Sequence, residues 1–343
     1  MNLSSSIRVV SSIALVCIFL VILAGSVVRT TGSGMGCPDW PKCFGYLVPP
    51  TDPAVLQYVA ERKFEKNQMV ILNDTLWVAN ESITAPAEFD HSQWHKYPRH
   101  NYAIFNPTHT WTEYINRLLG ATSGIPVLIL FVLATLRLFR HKDAITFALA
   151  FGVLLMLGFE AWLGKVVVDE QLKESTITLH MMGSMLIAAL LVALISRFGE
   201  KPIFPTFGRS WKLPVIALLF LLIAQVLLGT QVRQEIDVIA KANDFRSEWI
   251  GLLPPIFMIH RSFSIILVLL VLAIYRLNSK LPNPLKSVKL LAGLLLLEVL
   301  AGVALSYLGM PKAMQPVHLL SAIGMFSVAM YISIIVWRRQ IVC

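Results

Sequence analysis

The chain has 343 residues, of which 56% are hydrophobic and only 14% are charged. A soluble domain is normally about a quarter charged, so the composition excludes an ordinary soluble enzyme and points to an integral membrane protein. The net charge of +9 calls for no nucleic-acid partner, because the basic residues gather in short loops on one side, as cytoplasmic loops do.

Eight apolar runs reach the roughly 20 residues that a bilayer requires. They fall near 9–28, 114–139, 144–167, 177–197, 212–232, 254–276, 287–308 and 315–337. The expected fold is an all-α integral membrane protein, with eight helices in two pseudo-two-fold related four-helix bundles. The first run follows Arg8 and precedes Ala24, Gly25 and Ser26, so it also reads as a signal peptide. Its match to the fifth run, given below, favours a retained helix. Arg137, Arg140 and Lys142, then Arg197, Lys201 and Arg209, then Arg276, Lys280 and Lys286 occupy alternate loops. Arg8, Arg338 and Arg339 fall on the same side. Both termini are then cytoplasmic.

One long loop, about 30–112, separates the first two runs. It contains Cys37 and Cys43, a mixed stretch 54–80 with room for a short helix, and a His- and aromatic-rich run (His91, Trp94, His95, Tyr97, His100, Tyr102, His109, Trp111). Loops this long tend to be functional or disordered, and the density of Trp, Tyr and Pro disfavours disorder. A lid over the outer face of the first bundle is expected; an adhesive surface loop is the alternative over 54–90. An oxidising outer compartment permits a Cys37–Cys43 disulfide, possible redox activity included. A metal site is the rival, but no second cysteine pair completes a zinc cage. Cys17 lies in the first helix and Cys343 in the tail.

The chain repeats itself. Glu160, Gly164 and His180 recur 138 residues later as Glu298, Gly302 and His318. Asn116-Arg117 recurs after 144 residues as His260-Arg261, and Gly25 and Arg29 recur after 204 as Gly229 and Arg233. Two domains follow: 1–197 and 212–343, joined by a basic linker 198–211 with Pro202, Pro205 and Gly208. The step from 204 to 144 gives the first external loop about 60 residues that the second half lacks.

Three of the four equivalent positions are His, all near the outer ends of their helices. A polar residue at membrane depth is costly, and is usually functional or paired. His260 and His318, on facing helices, can grip a planar macrocycle from both sides, as bis-His haem ligation requires. His180 is matched with Asn116, a poor iron ligand, which leaves one face of a first-half iron open. A first half that has lost its haem, with Asn116 only hydrogen-bonding, is the alternative. Glu113 shares a helix face with Asn116, and Phe257 stands at its matching place. It reads as a group that transfers protons or stabilises a cationic intermediate, or as a helix-start acid complementing the dipole. Glu160 and Glu298 read as helix-to-helix hydrogen-bonding groups or as contacts that orient a ligand histidine. Arg117, Arg261, Arg29 and Arg233 are candidates for haem propionates, with snorkelling the alternative for the last two. No Gly-rich phosphate loop, nucleophile elbow or zinc motif occurs.

Together, Gly32-Ser-Gly-Met-Gly-Cys-Pro-Asp-Trp-Pro-Lys-Cys43, Glu113-Tyr-Ile-Asn-Arg117, the His180 helix start, Ile259-His-Arg261 and Pro316-Val-His318 resemble the haem A synthase family. The likeness runs in order along essentially the whole membrane portion. It implies an oxidoreductase that converts the C8 methyl of haem O to the formyl group of haem A by successive hydroxylations. It implies haem b iron on His260 and His318, and haem O as substrate in the first half, on His180 with Asn116 and Arg117 beside it. Glu113 then matches the catalytic acid and Cys37 the loop cysteine implicated in activity. Haem O synthase and terminal oxidase assembly proteins are the implied partners, in a bacterial cytoplasmic membrane with the haem sites toward the outside. Two departures stand out. Asn116 occupies a position where the family pattern has His, and a cysteine pair found in the third external loop of some members is absent from 233–253. A di-haem electron-transfer cytochrome and a haem carrier or chaperone are the alternative functions.

Overall fold

The structure, a computed structural model, describes residues 2–99, 104–199, 207–243 and 245–338. His100, Tyr102, Lys201, Pro202, Pro205, Arg339 and Cys343 lie outside them, as does half of the expected linker. The helices are α1 (Leu3–Thr31), α2 (Pro107–His141), α3 (Ala144–Asp169), α4 (Glu174–Phe198), α5 (Arg209–Ala242), the short α6 (Trp249–Leu252), α7 (Ile256–Ser279), α8 (Lys286–Tyr307) and α9 (Met314–Trp337). Among the described residues, eight helices are long and apolar enough to cross a membrane, all of these except α6. This is an all-α membrane protein. Large apolar side chains stay exposed along the spans, among them Ile125, Leu128 and Val132 on α2 and Leu296, Leu300 and Val303 on α8. In water such continuous patches drive association; facing lipid, they match their solvent.

Helix α2 starts seven residues before the expected position of 114. Asn106 accepts hydrogen bonds at its side-chain oxygen from the N–H groups of Thr108 (3.0 Å) and His109 (3.2 Å). It is an N-cap, and Pro107 follows at the first helical position, where no N–H is needed. At 35 residues and 1.5 Å per residue, α2 is about 50 Å long, well beyond the roughly 30 Å of bilayer hydrocarbon. Its excess turns carry Glu113, Asn116 and Arg117.

The chain divides into two compact units. The larger comprises Met1–Ile22, Ser123–Gly158 and Met181–Cys343. Its core draws on most of the long helices, through residues such as Ile18, Leu130, Leu191, Leu218, Val271 and Ile323. Its α7–α8 turn is closed by the buried Asn278 side chain, which accepts from Leu285 N–H (2.8 Å) and donates to Leu285 O (3.2 Å).

The smaller unit comprises Leu23–Thr122 and Phe159–His180. The stretch expected to include a short helix is mainly sheet. Only a 3₁₀ turn, Pro53–Leu56, is helical, capped by Asp52. The strands are β1 (Lys63–Phe64), β2 (Met69–Leu72), β3 (Thr75–Ala79), β4 (Ile83–Thr84) and β5 (Trp94–Lys96). They form an antiparallel β1–β4 pair and an antiparallel sheet in the order β2–β3–β5. Val70, Ile71, Thr75 and Val78 are β-branched residues that suit a pleated surface. Asn73 and Asp74, at φ 50° and 55°, supply the left-handed turn of the β2–β3 hairpin. Two small cores hold this insert together, one around Phe44, Leu56 and Met69 and one around Phe64, Val70 and Trp94. Its far end is tied to α3 by an ion pair from Arg99 to Asp169, which also binds Lys165 (2.7 Å).

Candidate functional site

In the smaller unit, the segment after α1 closes into a ring through a Cys37–Cys43 disulfide. The rival metal reading has no support here: among the described residues, no group of three His, Cys, Asp or Glu is placed to hold an ion. Asp39 sits inside the ring and accepts from the N–H groups of Phe44 (2.6 Å) and Gly45 (3.0 Å). Burial raises its carboxyl above the usual range, against the lowering effect of those N–H groups and of Arg117. Tyr97 donates to Pro38 O at 2.7 Å, and burial pushes its phenol up to about 12.

The ring is fastened to α2. Thr110 Oγ1 donates to Gly36 O (2.7 Å). The contact is so close that a Cβ on Gly36 would lie 2.6 Å from the His109 carbonyl. Glu113 accepts the Cys37 N–H at 2.9 Å and pairs with Arg117. The Arg117 guanidinium also donates to the carbonyls of Asp39, Lys42 (3.1 Å) and Cys37 (3.1 Å). Arg117, a propionate candidate from sequence, thus spends four hydrogen bonds on the ring and on Glu113. Glu113 lies in the second turn of α2, past the helix start that the dipole reading assumed.

Each of the four repeat-equivalent positions meets a glycine of a neighbouring helix. A Cβ on Gly25 would lie 3.7 Å from Asn116 Oδ1, and one on Gly164 would lie 3.8 Å from His180 Cε1. In the larger unit, a Cβ on Gly229 would lie 3.2 Å from His260 Cε1, and one on Gly302 would lie 3.4 Å from His318 Cε1. The duplicated glycines and the duplicated ligand-like residues are therefore in contact pairwise. A carboxyl group stands beside two of the imidazoles. His180 Nδ1 is 2.8 Å from Glu160, and His318 Nδ1 is 3.2 Å from Glu298. Ser321 Oγ donates to the other Glu298 oxygen.

His260 and His318 face each other in the larger unit. Their ring centres are 6.4 Å apart and their planes cross at 80°. Two axial imidazoles, each about 2 Å from a shared metal, put their ring centres about that far apart. His260 Nδ1 is buried with no hydrogen-bond partner among the described residues. These residues fit a haem iron. Asn116 Oδ1, at the matching first-half position, is likewise buried without a partner. It lies in the third turn of α2, deeper into its helix than the first turn expected.

The remaining arginines differ. Arg233 donates to Gln315 (2.8 Å) and pairs with Asp237 (2.7 Å). Arg261 lies over the Phe257 ring at 5.7 Å and is exposed. Arg29 ends α1. Sequence reasoning passed over Gln225, which donates to His260 O at 3.1 Å, and also Gln315 and Ser321. The available signal was a polar residue inside an apolar helix.

The family model for cytochrome oxidase assembly proteins, COX15-CtaA, matches residues 8–91 and 80–330. A heme A synthase of Shewanella oneidensis is 29% identical over 219 residues, covering 63% of this chain and 54% of the relative. A heme A synthase of Alkalihalophilus pseudofirmus is 23% identical over 242 residues, covering 69% of this chain and 63% of the relative. The chain thus spans between half and two thirds of the length of these curated relatives. The family model covers most of the chain, including both histidines of the paired site and the disulfide ring, and the chain belongs to the COX15-CtaA family of cytochrome oxidase assembly proteins.

Proposed function

We propose that this protein is a haem A synthase, an integral membrane oxidoreductase that oxidises the C8 methyl of haem O to a formyl group. The observation that carries the reading is the His260–His318 pair, 6.4 Å apart and backed by Gly229 and Gly302. Its sequence repeat is the Asn116 and His180 pair. His260 and His318 hold haem b, and when bound this group supplies one-electron chemistry to the substrate side. Haem O binds in the first half on His180. Two successive hydroxylations each take two electrons from the methyl carbon and replace a C–H by C–OH. The oxygen atom and oxidising equivalents come from an external oxidant such as dioxygen with an electron donor. The resulting geminal diol loses water to give the aldehyde. Glu113, held by the Cys37 N–H and Arg117, is the acidic group of the first site, and Cys37 fixes its position. Arg261, exposed near His260, is the propionate partner best placed to turn toward a ligand; Arg29 and Arg233 remain candidates. The basic ends of the helices face the cytoplasm, with both termini there, and the sites face outward.

The test is co-expression with a haem O-producing enzyme, followed by mass spectrometry of extracted pigments and an absorption spectrum of the purified protein. Haem A should accumulate. His260→Ala and His318→Ala should each abolish the low-spin haem b spectrum. Unchanged haem O beside a bound haem b would instead indicate an electron-transfer cytochrome or a haem carrier. A normal spectrum in either histidine variant sinks the cofactor assignment.

A further inference from the structure

Each histidine or asparagine of the four-fold set is backed by a helix with a glycine, and four residues before that glycine stands a graded series of side chains. Glu160 precedes Gly164, Glu298 precedes Gly302, Gln225 precedes Gly229, and Val21 precedes Gly25. On a helix, positions four apart lie on one face, so the backing residue and the glycine are presented together. The partners are graded in the same order. The two glutamates approach the Nδ1 atoms of His180 (2.8 Å) and His318 (3.2 Å). Gln225 reaches the backbone oxygen of His260 and not its ring, and among the described residues no carboxyl group pairs with the His260 ring as Glu160 and Glu298 do with theirs. Val21 has no polar group to offer, and its ligand-like counterpart is Asn116.

We infer that Glu160 and Glu298 are positioning residues that accept the Nδ1–H of one imidazole in each half, leave its Nε2 as the iron donor, and make it the stronger ligand of its site. The inference rests on the haem-binding reading above and deepens it. A hydrogen bond from the distal ring nitrogen to a carboxyl group fixes the tautomer and raises the basicity of the metal-binding nitrogen. The second-half iron then has unequal axial ligands, strong from His318 and weaker from His260. The first-half iron is carried by His180 alone, with its other face open toward Asn116. Ser321 tunes the second site, because its hydroxyl donates to the Glu298 oxygen that does not face the ring and draws charge away from the imidazole.

The experiment is redox titration of the bound haem b in the purified full-length protein. A more basic axial ligand favours ferric over ferrous iron, so Glu298→Gln should raise the midpoint potential. A tenfold loss in relative ferric preference is read as about 59 mV for one electron. Ser321→Ala, which returns charge to Glu298, should move the potential the opposite way while haem stays bound. For the first site, haem O added to Glu160→Gln should show a lower ferrous iron–histidine stretching frequency by resonance Raman than in the unmodified protein. Haem b bound at an unchanged potential in both Glu298→Gln and Ser321→Ala overturns the inference, as does an unshifted stretch in Glu160→Gln. If Glu298→Gln loses haem, the Ser321→Ala shift alone decides. Failure of the haem reading is separate: it appears as no haem in the unmodified protein, or as low-spin haem retained in His318→Ala.

Discussion

At the scale of single residues, Glu113 and Arg117 form a densely partnered pair. Their side chains are only 5% and 13% exposed, so neither charge is well solvated. Burial is tolerable because the guanidinium is shared among three ring carbonyls and the carboxylate. Removing one partner of such a pair leaves the other buried and uncompensated, at a cost of about 3–5 kcal/mol. Arg117→Ala should therefore lower the unfolding temperature and also loosen the ring, so that Cys37–Cys43 is reduced faster by a mild thiol. Arg117→Lys should rescue little, because an ammonium cannot reproduce a planar fork reaching several oxygens. A reduction rate equal to that of the unmodified protein would show that the ring holds itself without α2. These contacts join residues 75 to 80 positions apart, and nothing in the local sequence encodes them. Glu113 and Arg117 were legible as candidates, and their i,i+4 spacing allowed a pair, but their engagement with the disulfide ring was not.

At the scale of elements, the close approach of helices at glycines is the recurring device. The observed separations give it a graded test. Alanine at position 229 would put its Cβ 3.2 Å from His260 Cε1, inside ordinary van der Waals contact, and the ring would have to shift by a few tenths of an ångström. Alanine at position 25 would meet Asn116 Oδ1 at 3.7 Å, which is unstrained. Pyridine haemochrome content per mole of purified protein should thus fall in Gly229→Ala, fall less in Gly302→Ala, and stay unchanged in Gly25→Ala. Equal content in all three would mean that the glycines serve helix packing alone. The glycines were visible beforehand because duplication places them at fixed offsets, and the spans were visible because long apolar runs have few other uses. The start of α2 was hidden, since Pro107–Thr112 is too polar for a hydropathy reading. The Asn106-Pro107 cap was the signal that marked it. The insert's strands are two to five residues long, too short for alternation to stand out from loop composition.

At the scale of the whole molecule, the basic residues that set the expected orientation also do structural work. Asp143, in the two-residue α2–α3 turn, caps α3 through Thr146 and pairs with Arg137 (2.7 Å) and Arg197 (2.8 Å). Arg137 reaches Ser4 of α1 (2.9 Å), Arg197 also donates to Thr146 (3.0 Å), and Arg338 after α9 donates to Ser196 O (3.1 Å). One carboxylate thus gathers the ends of α1 to α4, and the arginine after α9 joins at α4. Charge counting located the cations but could not show that a single acid collects two of them. Burial disfavours the charge of Asp143, but hydrogen bonds from Arg137, Thr146 and Arg197 outweigh it and hold the carboxyl well below its usual range. A depressed folded-state pKa stabilises the fold at every pH above the unfolded value, about 3.9. The contribution fades as pH falls from there toward the folded value. Asp143→Asn should therefore melt at lower temperature than the unmodified protein, by an amount that is constant from pH 5 to 8 and narrows below about pH 4. Thermal unfolding in detergent across that range measures it. An asparagine side chain still accepts from Thr146 and keeps the helix cap, so a gap that persists undiminished at pH 3 would take the ionic link between the helix ends out of the account.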